Sequence, residues 1–544
     1  MANDNILKKV GFASFIMMAS IFASRMIGVF REMTIAGIGG IKTSVDAYQI
    51  AFIIPEILNH VVASGFLSIT FIPIFAHYLS SDRENEGYKV FSIIMNGFGL
   101  LLLCFIITTL IWTPAFVQLF VPGIQDPDTF ALAVKMTRII IPAQFFFFTG
   151  GLLMAIQFAN EKFLIPAMAP LIYNLGIILG GLILGPFIGM EGFAWGVLAG
   201  AFFGNFALQL IGAKKLGVKY YPILSFNHPD LIKYIKLTLP LMIGLTMIFS
   251  TEILLKFFGS YLFEGSIAAM NYAIRVMFIL VGLFGQAIGI ASYPFMAKLA
   301  QKGNLIELNK LLNKTLKFLF LVIPFSILFM VLNHEIVRIL FQRGQFNADA
   351  TLITAQILPF FMVGAFAFSA QNIVSRGYYA TQNTIFPAIL TSVCVIISIP
   401  FIFLLMKALG PRGVALGLSI SVIIQAFVLF ECWNKKSSNS GKKDVYLFFL
   451  KIIPISIVIG VIIFFTTFIL RNFIDHDSLK GSLAIAGIVG IEFLFLFFFT
   501  GVLFKVPEIM ILFENIFNLK VTRNLKVTRN LKVTRKRILP WKKK

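Results

Sequence analysis

Arg25, Arg31 and Glu32 stand in the string SRMIGVFREM, inside an apolar run that extends past residue 35. A second apolar run holds Asp46 near its start and Glu56 deeper, beside Pro55, and a later one holds Arg275 in NYAIRVM. An Arg at the centre of a membrane helix costs roughly 2.5–3.5 kcal/mol on insertion scales, so charge kept there marks function by default. Arginine offers a planar fork of donors that grips phosphate oxygens bidentately and never loses its charge. Three arginines around one cavity suit an anionic, phosphate-bearing substrate, whereas a cationic one would want carboxylates.

Arg25, Gly28 and Glu32 are spaced i, i+3, i+7 and share a helix face. Arg31 lies about 120° away at 100° per residue, so both arginines reach one space only if the helix bends, and Gly28 is the place for a bend. The competing arrangement is structural, with Arg31 paired to Asp46 or Arg25 to Glu56. Glu492, midway along the last apolar run, has no evident partner.

Motifs for covalent chemistry are missing. There is no phosphate-binding G-x-x-x-x-G-K-[ST], no dinucleotide glycine pattern and no H-E-x-x-H. The five histidines are scattered, so no metal site is expected. Cys104, Cys394 and Cys432 fit neither a disulfide framework nor metal-ligand spacing and read as small buried hydrophobes. The expectation is a transporter without cofactor, driven by a coupling ion, the membrane potential or the substrate gradient.

Composition says what must position these charges. Of 544 residues, 58% are hydrophobic and 13% charged, with a mean hydropathy of +0.90. Soluble domains are about 45–50% apolar and about 25% charged, so a soluble enzyme or a nucleic-acid-binding domain is excluded. A bilayer core of about 30 Å needs about 20 apolar residues per helix. That rule predicts an all-α polytopic membrane protein with about fourteen spans, the first a retained helix and not a cleaved signal. With the N-terminus in the cytoplasm, 32 Lys and Arg fall in inner segments and 8 in outer loops, Lys256 among the latter, so both termini are predicted cytoplasmic.

The chain resembles itself at an offset of 221 residues. Pro73, Gly123, Asp128, Pro166, Gly192 and Gly196 return as Pro294, Gly344, Asp349, Pro387, Gly413 and Gly417, among eleven such matches. The period holds six spans, so the copies are parallel, an architecture in which two lobes rock about a site near the midplane. The expected lobes are 1–221 and 222–440 around a central cavity, with two extra helices in 441–504. Arg275 then corresponds to Ile54, which sets the second and eighth spans facing each other. Residues 505–544 form a basic tail with three copies of Asn-Leu-Lys-Val-Thr-Arg, expected on the anionic inner leaflet and outside the transport path.

The runs SRMIGVFREMTIAGIGG, SVDAYQIAFIIPEIL and GFLSITFIPIFAHY resemble the start of the MurJ/MviN lipid II flippases, within the multidrug/oligosaccharidyl-lipid/polysaccharide exporter superfamily. NYAIRVMFILVGLFGQAIGIASYP resembles their eighth helix, LFQRGQF the loop after the ninth, and the similarity covers about residues 10–435. The resemblance implies a flippase carrying the undecaprenyl-diphosphate-linked peptidoglycan precursor across the bacterial cytoplasmic membrane by alternating access, as a monomer. It implies that Arg25, Arg31 and Arg275 contact the lipid-linked diphosphate, that Asp46 is a functional acid, and that the last two spans guide the isoprenoid tail. Asn59 stands where the family often has a further Arg, and Ser64 where it has an acid; His60 is the nearest substitute. The alternatives are a flippase for another polyprenyl-diphosphate oligosaccharide or a cation-coupled multidrug exporter.

Overall fold

The computed structural model describes residues 2–62, 70–246 and 250–511, with the side chains of 2–15, 18, 59–62, 239–246, 250, 287, 290 and 291 left out. The side chains of Asn59 and His60, Ser64 and the hexapeptide tail lie outside the described residues. Every regular element within them is helical.

The first repeat holds α1 (Ala2–Gly39), α2 (Thr43–Ala51), α3 (Ile53–Val62), α4 (Ile72–Ser80), α5 (Glu84–Phe120), α6 (Pro127–Ile140), α7 (Ala143–Ala159), α8 (Leu164–Ile188), α9 (Glu191–Gly200) and α10 (Leu208–Lys215). The second holds α11 (Pro229–Thr246), α12 (Ser250–Gly259), α13 (Ser266–Leu280), α14 (Ala287–Gln301), α15 (Leu305–Leu319), α16 (Val322–Val331), α17 (Asn333–Phe341), α18 (Ala348–Met362), α19 (Ala365–Ala380), α20 (Ile385–Leu409) and α21 (Pro411–Ser437). The hairpin α22 (Lys442–Phe473) and α23 (Leu479–Leu503) follows. Ten described helical runs are long and apolar enough to cross a membrane, or eleven when α18 and α19, bent by 45°, count as one span. The second and seventh of the fourteen expected spans include residues outside the description, and the first includes side chains outside it.

The repeat is visible in the backbone. α8 and α20 are both 25 residues long and displaced by 221 positions, and α7 and α19 end on Ala159 and Ala380. Positive φ also recurs at that offset: 57° at Glu161 and 60° at Gln382, 54° at Asp82 and 66° at Gly303. Such values are uncommon for non-glycine residues, so their return reflects the same turn built twice. Gly189 (φ 60°, ψ −136°) and Gly410 (φ 59°, ψ −135°) adopt a conformation essentially closed to side-chain-bearing residues. Glycine also lets α8 and α9 pack backbone to backbone: a β-carbon at Gly180 would stand 2.5 Å from the Gly192 carbonyl oxygen. Without a hydrophobic force between helices in lipid, such small-residue seams drive association.

Large apolar side chains such as Phe187, Leu404 and Ile491 are exposed on the outside of the bundle, as a lipid-facing surface requires. Cys104 is exposed there too, and Cys394 and Cys432 are half-buried, so none is the fully buried hydrophobe expected. All three thiols are free, being unconstrained by any partner of the right spacing.

The two repeats are tied at the end of the bundle reached by the C-terminus of α1, here the far end. The Gln345 N–H donates to the Gly37 carbonyl at 2.8 Å, and Lys42 Nζ donates to Gln345 Oε1 at 2.9 Å. Tyr272 OH donates to the Gly40 carbonyl at 3.2 Å, and Asn271 Nδ2 to Gln49 Oε1 at 2.7 Å. The last contact puts α2 against α13, so the second and eighth spans do face each other.

Candidate substrate cavity

Beneath that seam lies a cavity of about 250 Å³, walled by α1, α2, α3, α6, α7, α8, α9 and α13. Arg31, Glu32, Glu56 and Arg275 all line it, with Gln49 and Gln144 between them. Two of the three expected arginines therefore share one space, contributed by opposite repeats.

Each of these charges is held from inside the protein. Arg31 Nη2 donates to Glu32 Oε1 at 2.6 Å and Nη1 to Asn174 Oδ1 at 3.0 Å. Asn174 is fixed in turn by the Pro170 carbonyl, which accepts from its amide at 2.9 Å. Arg275 Nη1 donates to Glu252 Oε1 at 3.4 Å. Glu56 accepts from Lys256 Nζ at 3.3 Å, joining α3 to α12 across the repeats. Neither expected alternative pairing, Arg31 with Asp46 or Arg25 with Glu56, occurs.

Among the described residues, Arg275 Nε, Glu32 Oε2 and Gln144 Oε1 are buried without a hydrogen-bond partner. Buried polar atoms are nearly always satisfied, so one orphaned donor and two orphaned acceptors around one cavity point to a ligand that brings both an acceptor and hydroxyl or amide donors. With guanidinium forks from both repeats and a mix of amide and carboxylate walls, the arrangement can grip an oxyanion and exchange it against its own carboxylates.

The other expected site residues fall elsewhere. α1 is a continuous helix through Gly28, so Arg25 and Arg31 keep their angular separation and take different partners. Arg25 donates to Gln286, at the end of a wide π-type turn spanning Val281–Gln286 in the eighth span. Gly282 leaves room for it, since a β-carbon there would stand 2.6 Å from Arg25 Nη1. Asp46 is buried, and its carboxylate accepts the Gly265 and Ala268 N–H groups, both at 2.7 Å. It caps the N-terminus of α13 from the opposite repeat and belongs to the far-end seam, not to the cavity wall.

Glu252, Lys256, Asn174 and Gln144 were not anticipated from the sequence. The signal for the first two was present: TEILLK places Glu and Lys at i, i+4 in an apolar run, where both share a face. Lys256, expected in an outer loop, is only 2% exposed. Its ammonium is drawn in by Glu56. Glu492 does have a partner, accepting from Thr466 Oγ1 at 2.9 Å.

A family model described as lipid II flippase MurJ matches residues 35–484. A probable lipid II flippase MurJ of Buchnera aphidicola subsp. Acyrthosiphon pisum is 26% identical over 448 residues, covering 81% of this chain and 87% of that protein. One from Rickettsia prowazekii is 26% identical over 501 residues, covering 89% and 96%. Among solved structures, a lipid II flippase MurJ in an inward closed conformation superimposes with a TM-score of 0.74 at 27% identity, covering 90% of this chain and 99% of that one. An inward-facing multidrug resistance MATE family transporter of the MOP superfamily gives 0.64 at 16% identity, over 76% and 94%, and shares the fold alone.

Proposed function

The chain belongs to the lipid II flippase MurJ family, and from that premise we propose that it carries lipid II, a lipid-linked diphosphate, from the inner to the outer leaflet. It is an integral membrane transporter and not an enzyme. The observation that carries the reading is the cavity in which Arg31 and Arg275, one from each repeat, face a common space, with the Arg275 Nε donor buried and unpaired among the described residues.

In this reading the far end is the outer face and both termini are cytoplasmic. The structure is then the state in which the outer side is sealed. The diphosphate enters the cavity, displaces Glu32 and Glu252 from the two guanidinium groups, and binds both repeats at once. Release on the outer side follows when the seam between Gly37–Asp46 and the second repeat opens. The isoprenoid tail stays in lipid along α22 and α23, which lie outside the repeat and expose large apolar faces such as Phe465, Phe468 and Phe495.

The driving force follows from the pairing. Arg31, Arg275 and Lys256 each sit beside a carboxylate, so the empty cavity carries little net charge and the diphosphate brings the charge that moves. Each elementary charge crossing the field is worth about 2.3 kcal/mol per 100 mV, and an inside-negative potential favours outward passage of the loaded, anionic state. The chain acts as a monomer.

The test is complementation. In bacterial cells depleted of their own lipid II flippase, this chain should prevent accumulation of lipid II in extracted lipids, and its Arg31→Ala variant should not. Persistent accumulation with the wild-type chain inserted at normal levels would overturn the proposal. Accumulation of a different polyprenyl-linked intermediate would redirect it to that substrate.

A further inference from the structure

We infer that a crevice between α5, α6 and α9, on the outside of the first repeat, binds the phosphate of an anionic membrane phospholipid through Arg138. Its origin is a proline. Pro114 lacks the N–H that would bond the Leu110 carbonyl four residues earlier, and α5 breaks there, with Trp112 at φ −98° and ψ 20°. The Leu110 carbonyl, released from the helix ladder, accepts from Thr113 Oγ1 at 3.2 Å and from Arg138 Nε on α6 at 3.2 Å. This fixes the guanidinium plane but uses one of its five donors. Arg138 is exposed, and its two terminal nitrogens make no other hydrogen bond or ion pair among the described residues.

The fork opens into a crevice of about 650 Å³ walled by Pro114, Phe130, Val134, Pro142, Trp195 and Leu198. That size fits a headgroup with the first part of an acyl chain. Lys135 also lines it, but its charge is matched by Glu191, 2.7 Å away at the start of α9. Arg138 is thus the single uncompensated charge, which complements a headgroup of net charge minus one, such as phosphatidylglycerol.

Depth agrees. The Lys135–Glu191 pair marks the aqueous edge at the far end, and Arg138 lies one turn inside it, about 4.5 Å along the helix. Trp112 and Trp195 flank the site at 55% and 45% exposure, as tryptophans at a membrane interface do. An arginine there reaches toward the headgroup layer while its stem stays in apolar surroundings. Ile140, two residues on, faces the central cavity, so Arg138 projects from the other side of α6 and the crevice is separate from the transport site. The inference therefore does not depend on the proposed substrate.

The experiment is native mass spectrometry of the full chain in detergent, titrated with phosphatidylglycerol or with phosphatidylcholine of the same acyl chains. Wild type should retain one more tightly held phosphatidylglycerol than Arg138→Ala, whose affinity for that lipid should fall about fivefold, the value of one basic contact at the membrane surface. Trp195→Ala removes a wall while leaving the Arg138–Leu110 bond, and should weaken the same lipid without loss of folding. Arg138→Lys keeps the charge but not the fork and should fall between. Equal phosphatidylglycerol occupancy in wild type and Trp195→Ala, or equal retention of phosphatidylcholine and phosphatidylglycerol by wild type, would overturn the assignment.

Discussion

Lys256 and Glu56, 200 residues apart in the chain and in different repeats, meet at 3.3 Å in the wall of the central cavity. Lys256 is almost fully buried, while Glu56 reaches the cavity. Removing one partner of a buried pair leaves an uncompensated charge and costs about 3–5 kcal/mol, whereas removing both is close to neutral. Glu56→Gln should therefore lower thermal stability strongly, Lys256→Met less, and the double variant should recover most of the loss. Additive losses in the double variant would show that the two groups do not support each other.

Arg31 and Arg275 supply the guanidinium groups of the cavity. A hydrogen bond to a charged group is worth about 1.5–3 kcal/mol, so Arg31→Ala or Arg275→Ala should weaken diphosphate binding about 10- to 100-fold. Lysine should restore part of it, since a point charge cannot reproduce the fork. Arg25 binds Gln286 outside that cavity. Arg25→Ala and Gln286→Ala should thus resemble each other, slowing transport while leaving equilibrium diphosphate binding near wild type. The check is binding of a soluble lipid diphosphate analogue beside a flux measurement, and a loss of binding in Arg25→Ala would return Arg25 to the cavity.

Asp46 holds the far-end seam by capping α13 from the other repeat. Losing an N-cap costs about 0.5–2 kcal/mol. Here the cost is paid only in the sealed state, so Asp46→Ala should raise the open fraction by about tenfold at the middle of that range. Labelling of a Gln345→Cys variant, with Cys104, Cys394 and Cys432 replaced by serine, should accelerate accordingly. Unchanged labelling would mean that the Gln345–Gly37 and Tyr272–Gly40 contacts hold the seam without Asp46.

Much of the architecture was legible because lipid leaves the sequence few choices. Spans must be apolar and helical, and a duplicated turn keeps its glycine, as Gly189 and Gly410 do at one offset. Arg31 and Arg275 were readable because charge is conspicuous in an apolar run. Asp46 was recognised as an acid near the end of a span, but no spacing reveals that its partners are backbone N–H groups more than 200 residues away. Lys256 was misplaced because hydropathy sets a span's edge only to within a turn, and one turn decides between a loop and a buried ion pair. Arg25 was grouped with Arg31 because a bend at Gly28 would have brought them together, and the helix continues unbroken through it.

The hairpin of α22 and α23 is docked to α17 by Arg471, whose Nε and Nη2 donate to the two oxygens of fully buried Glu335, both at 2.8 Å. Next to this pair, at the far end and outside the spans, the His334 and His476 rings stand 5.7 Å apart. Burial holds the His334 imidazole below its ordinary value of 6.5, Glu335 pulls the other way, and Arg471 and His476 add to the depression. A group whose folded value is depressed is protonated more readily when that region opens. Its contribution to stability is therefore fully present above 6.5 and is lost as pH falls from there through the folded value. The opening free energy of 333–341 and 471–482, taken from hydrogen exchange relative to the intrinsic rate at each pH, should be larger near pH 8 than near pH 5, the range in which histidine changes charge. His334→Gln should flatten that dependence, leaving Glu335 and Arg471 as the dock. A wild-type opening free energy in both segments that does not change with pH would show that His334 stays neutral in the open form as well, and would remove the histidine pair from the docking of the hairpin.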